Sequence, residues 1–390
     1  MGVKRMKIAG IIAEYDPFHN GHAWHIEQTR RLTGCDGVIV CMDGHFTQRG
    51  EPAALSKWDR ARMALACGAD AVFELPTLFA VRSADAFARG GVAILNGLGA
   101  DVLSFGSEID DLALLKALAE LRRSEPAALS ESIRRKLAEG KSHARARGEA
   151  VSEYLGIPRD AVNRPNAVLA AEYLRAIEDL GSAMTPLIVP RRGDYHDEAL
   201  GEYASASAIR AAWRRGEGAL EAIPEAARPW AIPDAMHPMD DLLLYRLRGM
   251  DAEELAALPD VGEGLEHRLY RLCREAPGRE ALLEALKCKR YTRARLSRLL
   301  THALLGMDRA HIEAVPAPPY ARLIGIRRGS EALLREIKAR ATLPVVSGGA
   351  SLKGDPCFEL ECRATDAWSL LHDAPALRRA GREMTEGMVK

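Results

Sequence analysis

The stretch KIAGIIAEYDPFHNGHAWHI, residues 7–26, decides how this chain is read. An apolar run from Lys7 to Tyr15 is followed by His19-Asn20-Gly21-His22, which opens an amphipathic helical pattern over Ala23–Leu32. A helix N-terminus carries unpaired amides and the positive end of the helix dipole, so strand, turn and helix together present an anion site. Gly21 has no side chain and lets backbone and phosphate approach closely. His19 and His22 supply imidazole donors for phosphate oxygens, stronger when protonated. The HxGH spacing at this place predicts a nucleoside-triphosphate site. The plain alternative is a capped helix with two surface histidines.

Around that stretch, 390 residues suit two domains of ordinary size, and 47% hydrophobic residues suffice for packed cores. Basic and acidic residues balance at 54 each, so no global field draws the chain to nucleic acid or membrane. Any nucleic-acid partner needs a local patch. The seven cysteines are scattered and form no CxxC, which predicts a reducing, cytoplasmic setting without a disulfide framework or zinc ribbon. No secretory core follows Met1, and no run reaches the ~18 apolar residues of a membrane span, so no membrane partner is expected.

Short β-branched runs alternate with helical patterns in the first half. Strands are predicted at Ile8–Ala13, Gly37–Met42, Ala71–Leu75, Val102–Phe105 and Pro186–Val189. Helices are predicted at Gly21–Leu32, Lys57–Cys67, Ser83–Leu98, a long stretch from Leu112 to Tyr154, and Asn166–Leu180. This alternation predicts an α/β fold, a Rossmann-like parallel sheet covered on both faces, with ligands beyond the carboxyl ends of the strands. Pro224, Pro229, Pro233 and Pro238 mark a boundary. Residues 1–230 then form the nucleotide-binding catalytic domain, and residues 240–390 a mainly helical C-terminal domain.

Several polar loops fall at the same sheet edge. Asp43–Pro52 is long and glycine-bounded, and offers Gln48, Arg49 and Glu51. Arg191-Arg192-Gly193 offers two guanidinium forks for phosphate. Ser205-Ala-Ser207-Ala-Ile-Arg210 places two hydroxyls at a helix start with an arginine one turn later, which suits a phosphate, although taken by itself the motif is better explained by simple N-capping. Lys287–Arg298 holds six basic residues, no acidic one, and Tyr291, which suits an RNA backbone with one stacking aromatic. A solvated basic helix face packing through Leu296, Leu299 and Leu300 is the alternative. No zinc site is assigned to His19, His22 and His25, which lack thiolate or carboxylate company. Glu14 and Asp16 are weak candidates for a Mg²⁺ shell, so no metal residues are assigned. Neither GxxxxGK[ST] nor GxSxG occurs.

These blocks resemble a known family. HNGH is similar to the HxGH motif of the nucleotidyltransferase superfamily, and SASAIR (205–210) to its ISSTxIR motif, with Ala204 and Ala206 replacing Ile and Ser. No KMSKS is present. The fuller resemblance is to the bacterial tRNA(Met) cytidine acetate ligase family. It is carried by residues 10–26, FTQRGEPA (46–53), KWDRARMAL (57–65), GADAVFELP (68–76), FGSE (105–108), RPNAVLAAEYLRAI (164–177) and RRGDYHD (191–197). In the second half it is carried by EGLEHRL (263–269), KRYTRARLSRLL (289–300) and YARLIGI (320–326). Departures are Asp16 in place of Asn, Asp43 and His45 in place of Ser and Asn, and Pro190 and Arg192 within the usual Lys-Arg-Ile-Gly.

The resemblance implies an enzyme that activates acetate with ATP as acetyl-adenylate. It then acetylates the N4 amine of the wobble cytidine of elongator tRNA(Met), giving N4-acetylcytidine, AMP and pyrophosphate. It implies ATP contacts at Ile12, Ala13, Glu14, Tyr15, Asp16, Pro17, Phe18, His19, Asn20, Gly21, His22, Ala23, Trp24, His25, Gly106, Asn166, Arg191 and Arg192. His19, His22 and Arg210 are expected to be catalytic, with Ser205 and Ser207 on the β/γ-phosphates. Gln48 and Arg49 are expected on acetate or tRNA, and Lys289, Arg290, Arg293, Arg295 and Arg298 on tRNA. No general base stands out. Two alternatives stay open: an adenylyltransferase for a small phosphorylated metabolite, and a non-catalytic RNA-binding protein of the same fold.

Overall fold

The computed structural model describes residues 5–162, 164–190, 201–233, 236–288 and 290–390. Seven strands form one sheet: β1 (Ile8–Ala13), β2 (Gly37–Asp43), β3 (Ala71–Leu75), β4 (Val102–Ser107), β5 (Thr185–Pro190), β6 (Ala321–Ile326) and β7 (Val345–Val346), in the order β5-β4-β1-β2-β3-β6-β7. β1 to β5 are all parallel. The five predicted strands are all present. The chain moves from β1 outward to β3, then returns to β4 on the other side of β1. The crevice outside the carboxyl ends of β1 and β4 is therefore the switch point where open α/β sheets bind ligands.

Strand alternation explains the two cores. Ile8 and Ile12 of β1 join one, and Ala9 and Ile11 join the other. α1 (Asn20–Thr33) and α2 (Lys57–Ala66) pack Ile26, Trp58, Ala61 and Leu65 into the second core. After the short α3 (Thr77–Ala80), α4 (Ala84–Gly97) packs Phe87, Val92 and Leu95 into the first. Glycine permits the close approach there: a Cβ on Gly91 would lie 2.7 Å from Ile12 Cδ1.

The long helical stretch expected from Leu112 to Tyr154 consists of three helices, α5 (Leu112–Arg123), α6 (Ala127–Ala138) and α7 (His143–Leu155). Pro126 precedes the second, and Gly140 has φ +81° before the third. α8 (Arg159–Val162) and α9 (Pro165–Asp179) lead to β5, and α10 (Ala206–Arg214) follows it.

The second half is mainly helical. It contains α11 (Asp240–Gly249), α12 (Ala252–Ala257), α13 (Leu265–Glu275), α14 (Arg279–Leu286), α15 (Arg293–Leu305), α16 (Arg309–Ala314), α17 (Glu331–Arg340), α18 (Pro356–Ser369) and α19 (Arg382–Thr385). It also returns to the sheet, which the sequence reading did not foresee. β6 pairs antiparallel with β3, and β7 pairs parallel with β6. No helix among the described residues is long and apolar enough to cross a membrane.

Candidate active site

β1 runs into Glu14–Phe18 and then α1. His19 is the N-cap of α1, with extended backbone (φ −144°, ψ 175°). Its Nδ1 accepts from the Gly21 amide at 3.0 Å, and His22 Nδ1 accepts from the His19 amide at 3.2 Å. This is a capping box in which imidazoles replace the usual hydroxyl and carboxylate. The rings stack with centroids 3.7 Å apart and planes at 28°. With both Nδ1 atoms accepting, the hydrogen-bond pattern assigns the proton of each neutral ring to Nε2. A Cβ on Gly21 would lie 2.8 Å from His19 Cε1, so this glycine is needed first for the cap itself.

α10 enters beside this turn. Ser205 caps it, its Oγ accepting from the Ala208 amide at 3.2 Å and bonding Ser207 Oγ at 2.9 Å. Arg210 donates to the Asp16 carbonyl and lies 3.5 Å from the Asp16 carboxylate. Asn20 Nδ2 donates to the carbonyls of Glu202 at 2.7 Å and Glu221 at 2.8 Å. These bonds tie the start of α1 to α10 and to the segments on either side of it. The N-termini of α1 and α10, each carrying the positive end of a helix dipole, therefore meet at the carboxyl end of β1.

The loop after β2 closes against the same turn. The Gln48 amide donates to Glu14 Oε1 at 2.9 Å, Gln48 Nε2 donates to the Arg82 carbonyl at 2.7 Å, and the Ala54 amide donates to Asp16 Oδ1 at 2.7 Å. Burial pushes the Glu14 carboxyl up, against the pull of the Gln48 amide. Arg60, buried on α2, donates to the carbonyls of Glu14 and Gly44 and to the Asp43 carboxylate at 2.7 Å. Burial holds Asp43 well above the usual carboxylate range, although Arg60 opposes it. Arg60 thus joins the carboxyl ends of β1 and β2. Sequence reasoning missed it, because nothing in KWDRARMAL separates a buried arginine from a solvated one.

Glu14 and Asp16, the candidate Mg²⁺ ligands, each have one carboxylate oxygen already engaged. Glu14 holds the Gln48 amide, and Asp16 holds the Ala54 amide beside Arg210. Other expected ATP residues are partly structural. Ile12, Tyr15 and Phe18 are buried in the cores, and His25 Nε2 bonds Ser104 Oγ at 2.9 Å. Asn166 donates to Glu108 at 2.6 Å, where Glu108 also accepts the Ala167 amide at the start of α9. Gly106 lies near the end of β4. Ala13, Pro17, Ala23 and Trp24 lie along the same β1–α1 segment. Arg191, Arg192 and Lys289 lie outside the described residues.

The expected basic face is largely neutralised by its neighbours. Arg290 pairs with Glu263, and Arg293 pairs with Glu280 and, at 3.4 Å, Glu284. Arg295 donates to the Asp260 carbonyl at 2.7 Å. Tyr291 is buried and donates to the Gly262 carbonyl at 2.8 Å, so it is no open stacking platform. Arg298 is only 8% exposed. α15 instead docks the active-site loop: Ser297 Oγ donates to the Arg49 carbonyl at 2.6 Å and Thr301 Oγ1 to the Gly50 carbonyl at 2.7 Å. Arg279 adds a bond to Glu51 at 2.8 Å.

Comparison with known proteins agrees with this geometry. Residues 6–383 match the HIGH nucleotidyltransferase family. The tRNA(Met) cytidine acetate ligase of Syntrophomonas wolfei is 35% identical over 98% of this chain and 99% of its own. The Bacillus subtilis protein of the same name is 37% identical over 95% of this chain and 94% of its own. The apo crystal structure of Thermotoga maritima TmcAL superimposes with a TM-score of 0.89 at 29% identity, covering 98% of this chain and 99% of that one. The same enzyme bound with alpha-thio ATP gives 0.87. The chain therefore belongs to the HIGH nucleotidyltransferase family and, within it, to the tRNA(Met) cytidine acetate ligases.

Proposed function

We propose that this chain is an ATP-dependent acetate ligase acting on the wobble cytidine of elongator tRNA(Met). An acetate oxygen attacks the α-phosphorus of ATP, giving acetyl-adenylate, and pyrophosphate leaves. The cytidine N4 amine then attacks the acetyl carbonyl, giving N4-acetylcytidine, and AMP leaves; the amine loses one proton. The site of action is the cytoplasm, where tRNA is modified in bacteria.

The observation that carries the reading is the His19–His22 cap at the β1/β4 switch point, beside α10 and Arg210. Nε2–H donors, helix amides and a guanidinium are the groups that stabilise a departing pyrophosphate. Ser205 and Ser207 add hydroxyls for the β/γ-phosphates, and Gln48 and Arg49 stand at the loop that faces acetate or RNA. The relatives' names supply the acceptor. The pairing of Arg290 and Arg293 with glutamates, and the bond of Arg295 to the Asp260 carbonyl, favour the rival small-metabolite adenylyltransferase. Acetate-dependent release of pyrophosphate from ATP, measured with and without the tRNA, separates the two. A metabolite adenylyltransferase gives none with acetate.

A further inference from the structure

Two arginines beside the Gln48–Gly50 loop lack an acceptor. Arg298 on α15 is 92% buried by area, being 8% exposed, and its guanidinium makes no hydrogen bond or ion pair among the described residues. The guanidinium of Arg82, half-buried after α3, likewise has no hydrogen-bond or ion-pair acceptor among them. Three contacts bring the two to one place. A Cβ on Gly50 would lie 2.8 Å from Arg298 Cα, so the loop rests on that turn of α15. Gln48 Nε2 donates to the Arg82 carbonyl at 2.7 Å. His302, one turn beyond Arg298, bonds the Val81 carbonyl at 2.6 Å. The loop that touches Glu14 therefore lies between Arg82 and Arg298.

Burial of an unpaired guanidinium is unfavourable, and among the described residues no ion pair at contact distance offsets it. Asp85 and Asp260 lie near enough to be felt, but neither forms an ion pair with Arg82 or Arg298. Burial pulls both arginines below their usual range, and for Arg298 the charges of Arg295 and Arg82 add to the pull. By contrast, every exposed arginine of the Arg290–Arg295 stretch has an acceptor. The positive charge left for an incoming anion lies in the interior, next to the active-site loop.

We propose that Arg82 and Arg298 form an anion subsite that takes a backbone phosphodiester of the RNA acceptor, seating it against the Gln48–Gly50 loop. A guanidinium pair matches the oxygens of one phosphate, and a partly desolvated site strengthens that contact. The proposal rests on the acetyl-transfer reading, because a phosphodiester at this loop is what an RNA acceptor would present. It accounts for a basic helix whose exposed members are already paired.

The test uses the full-length protein with Arg82→Gln, Arg298→Gln and Arg298→Lys. Affinity for an elongator tRNA(Met) transcript is measured across about 50 to 200 mM salt. Each glutamine variant is expected to bind about five- to tenfold more weakly and to lower the salt slope by about one. Arg298→Lys, which keeps the charge, is expected to restore the slope. KM for the RNA should rise more than KM for ATP or acetate. Unchanged RNA affinity and slope in folded variants would overturn the proposal. So would a rise in KM for ATP or acetate with RNA affinity intact, because the anion would then be a phosphate of ATP or a carboxylate. If Arg298→Gln does not fold, Arg82→Gln decides. Wild-type protein that binds the RNA but makes no N4-acetylcytidine contradicts the functional reading, and the salt slopes still judge the subsite.

Discussion

His19 and His22 cap the same helix by exchanging Nδ1 bonds with backbone amides while their rings stack 3.7 Å apart. Their fold role and their chemical role therefore use different nitrogens. Nδ1 closes the α1 N-terminus, and Nε2 is the nitrogen that the proposed function assigns to phosphate.

His22→Ala removes both roles. Loss of the cap bond should destabilise the fold by about 1 kcal/mol. Loss of one charge-stabilising donor should lower acetate-dependent pyrophosphate release by about 100- to 1000-fold. Thermal melting and a pyrophosphate assay read the two effects separately. A variant as active as the wild type would remove His22 from the chemistry.

Gly50 makes the active-site loop depend on α15. It has φ +72°, and a Cβ there would sit 2.8 Å from Arg298 Cα and 2.9 Å from Arg298 N. Backbone cannot yield as a side chain can. Gly50→Ala combines left-handed strain of about 1 kcal/mol with displacement of the loop from the helix. The expected result is a lower melting temperature and a larger loss in acetyl transfer than the stability change explains.

Lys57 stands at the centre of a buried ionic cluster that fastens the last helices to the sheet. It pairs with Glu74 of β3 and Glu383 of α19, and lies 3.8 Å from Glu361 of α18. Arg322 of β6 lies 3.0 Å from Glu74 and also pairs with Glu383. Lys57→Met would leave the buried Glu74 and Glu383 against one arginine, beside the Glu361 carboxyl. The expected cost is about 3–5 kcal/mol, because breaking a buried pair strands its partner. Chemical denaturation checks this, and a loss under 1 kcal/mol would contradict it.

Glu361 gives the cluster a pH dependence. Burial, with the neighbouring Glu74 charge, raises its carboxyl from 4.5 to about 8. A raised carboxyl holds its proton in the folded chain after the unfolded chain has ionised. Its contribution is complete below pH 4.5 and is lost as pH rises toward about 8. Glu361→Gln mimics the protonated form. It should melt like the wild type near pH 5 and above it near pH 8–9, with the gap growing across that window. Parallel melting curves at all pH values would mean that Glu361 is ionised throughout.

Five strands, the switch point and the HNGH turn were legible, because β-branched runs between helices and a glycine turn are local signals. β6 was not, since Ala321–Ile326 is one short apolar run inside a helical half. Only long-range pairing with β3 reveals it. The basic run 287–298 was legible as charge but not as a site. Its partners Glu263, Glu280, Glu284 and Asp260 lie on other elements, and burial of Arg298 comes from docking of the Gly50 loop. Nothing local in the sequence separates Lys57 and Arg60 from solvated helix positions, yet both are fully buried. The charge partners that make this tolerable are Glu74, Glu361, Glu383 and Asp43.

Mass spectrometry of nucleosides from elongator tRNA(Met), incubated with this protein, ATP and isotopically labelled acetate, tests the central claim most directly. The account predicts labelled N4-acetylcytidine that requires ATP, with AMP and pyrophosphate formed alongside. Folded, ATP-binding protein that gives neither labelled nucleoside nor labelled acetyl-adenylate would contradict it.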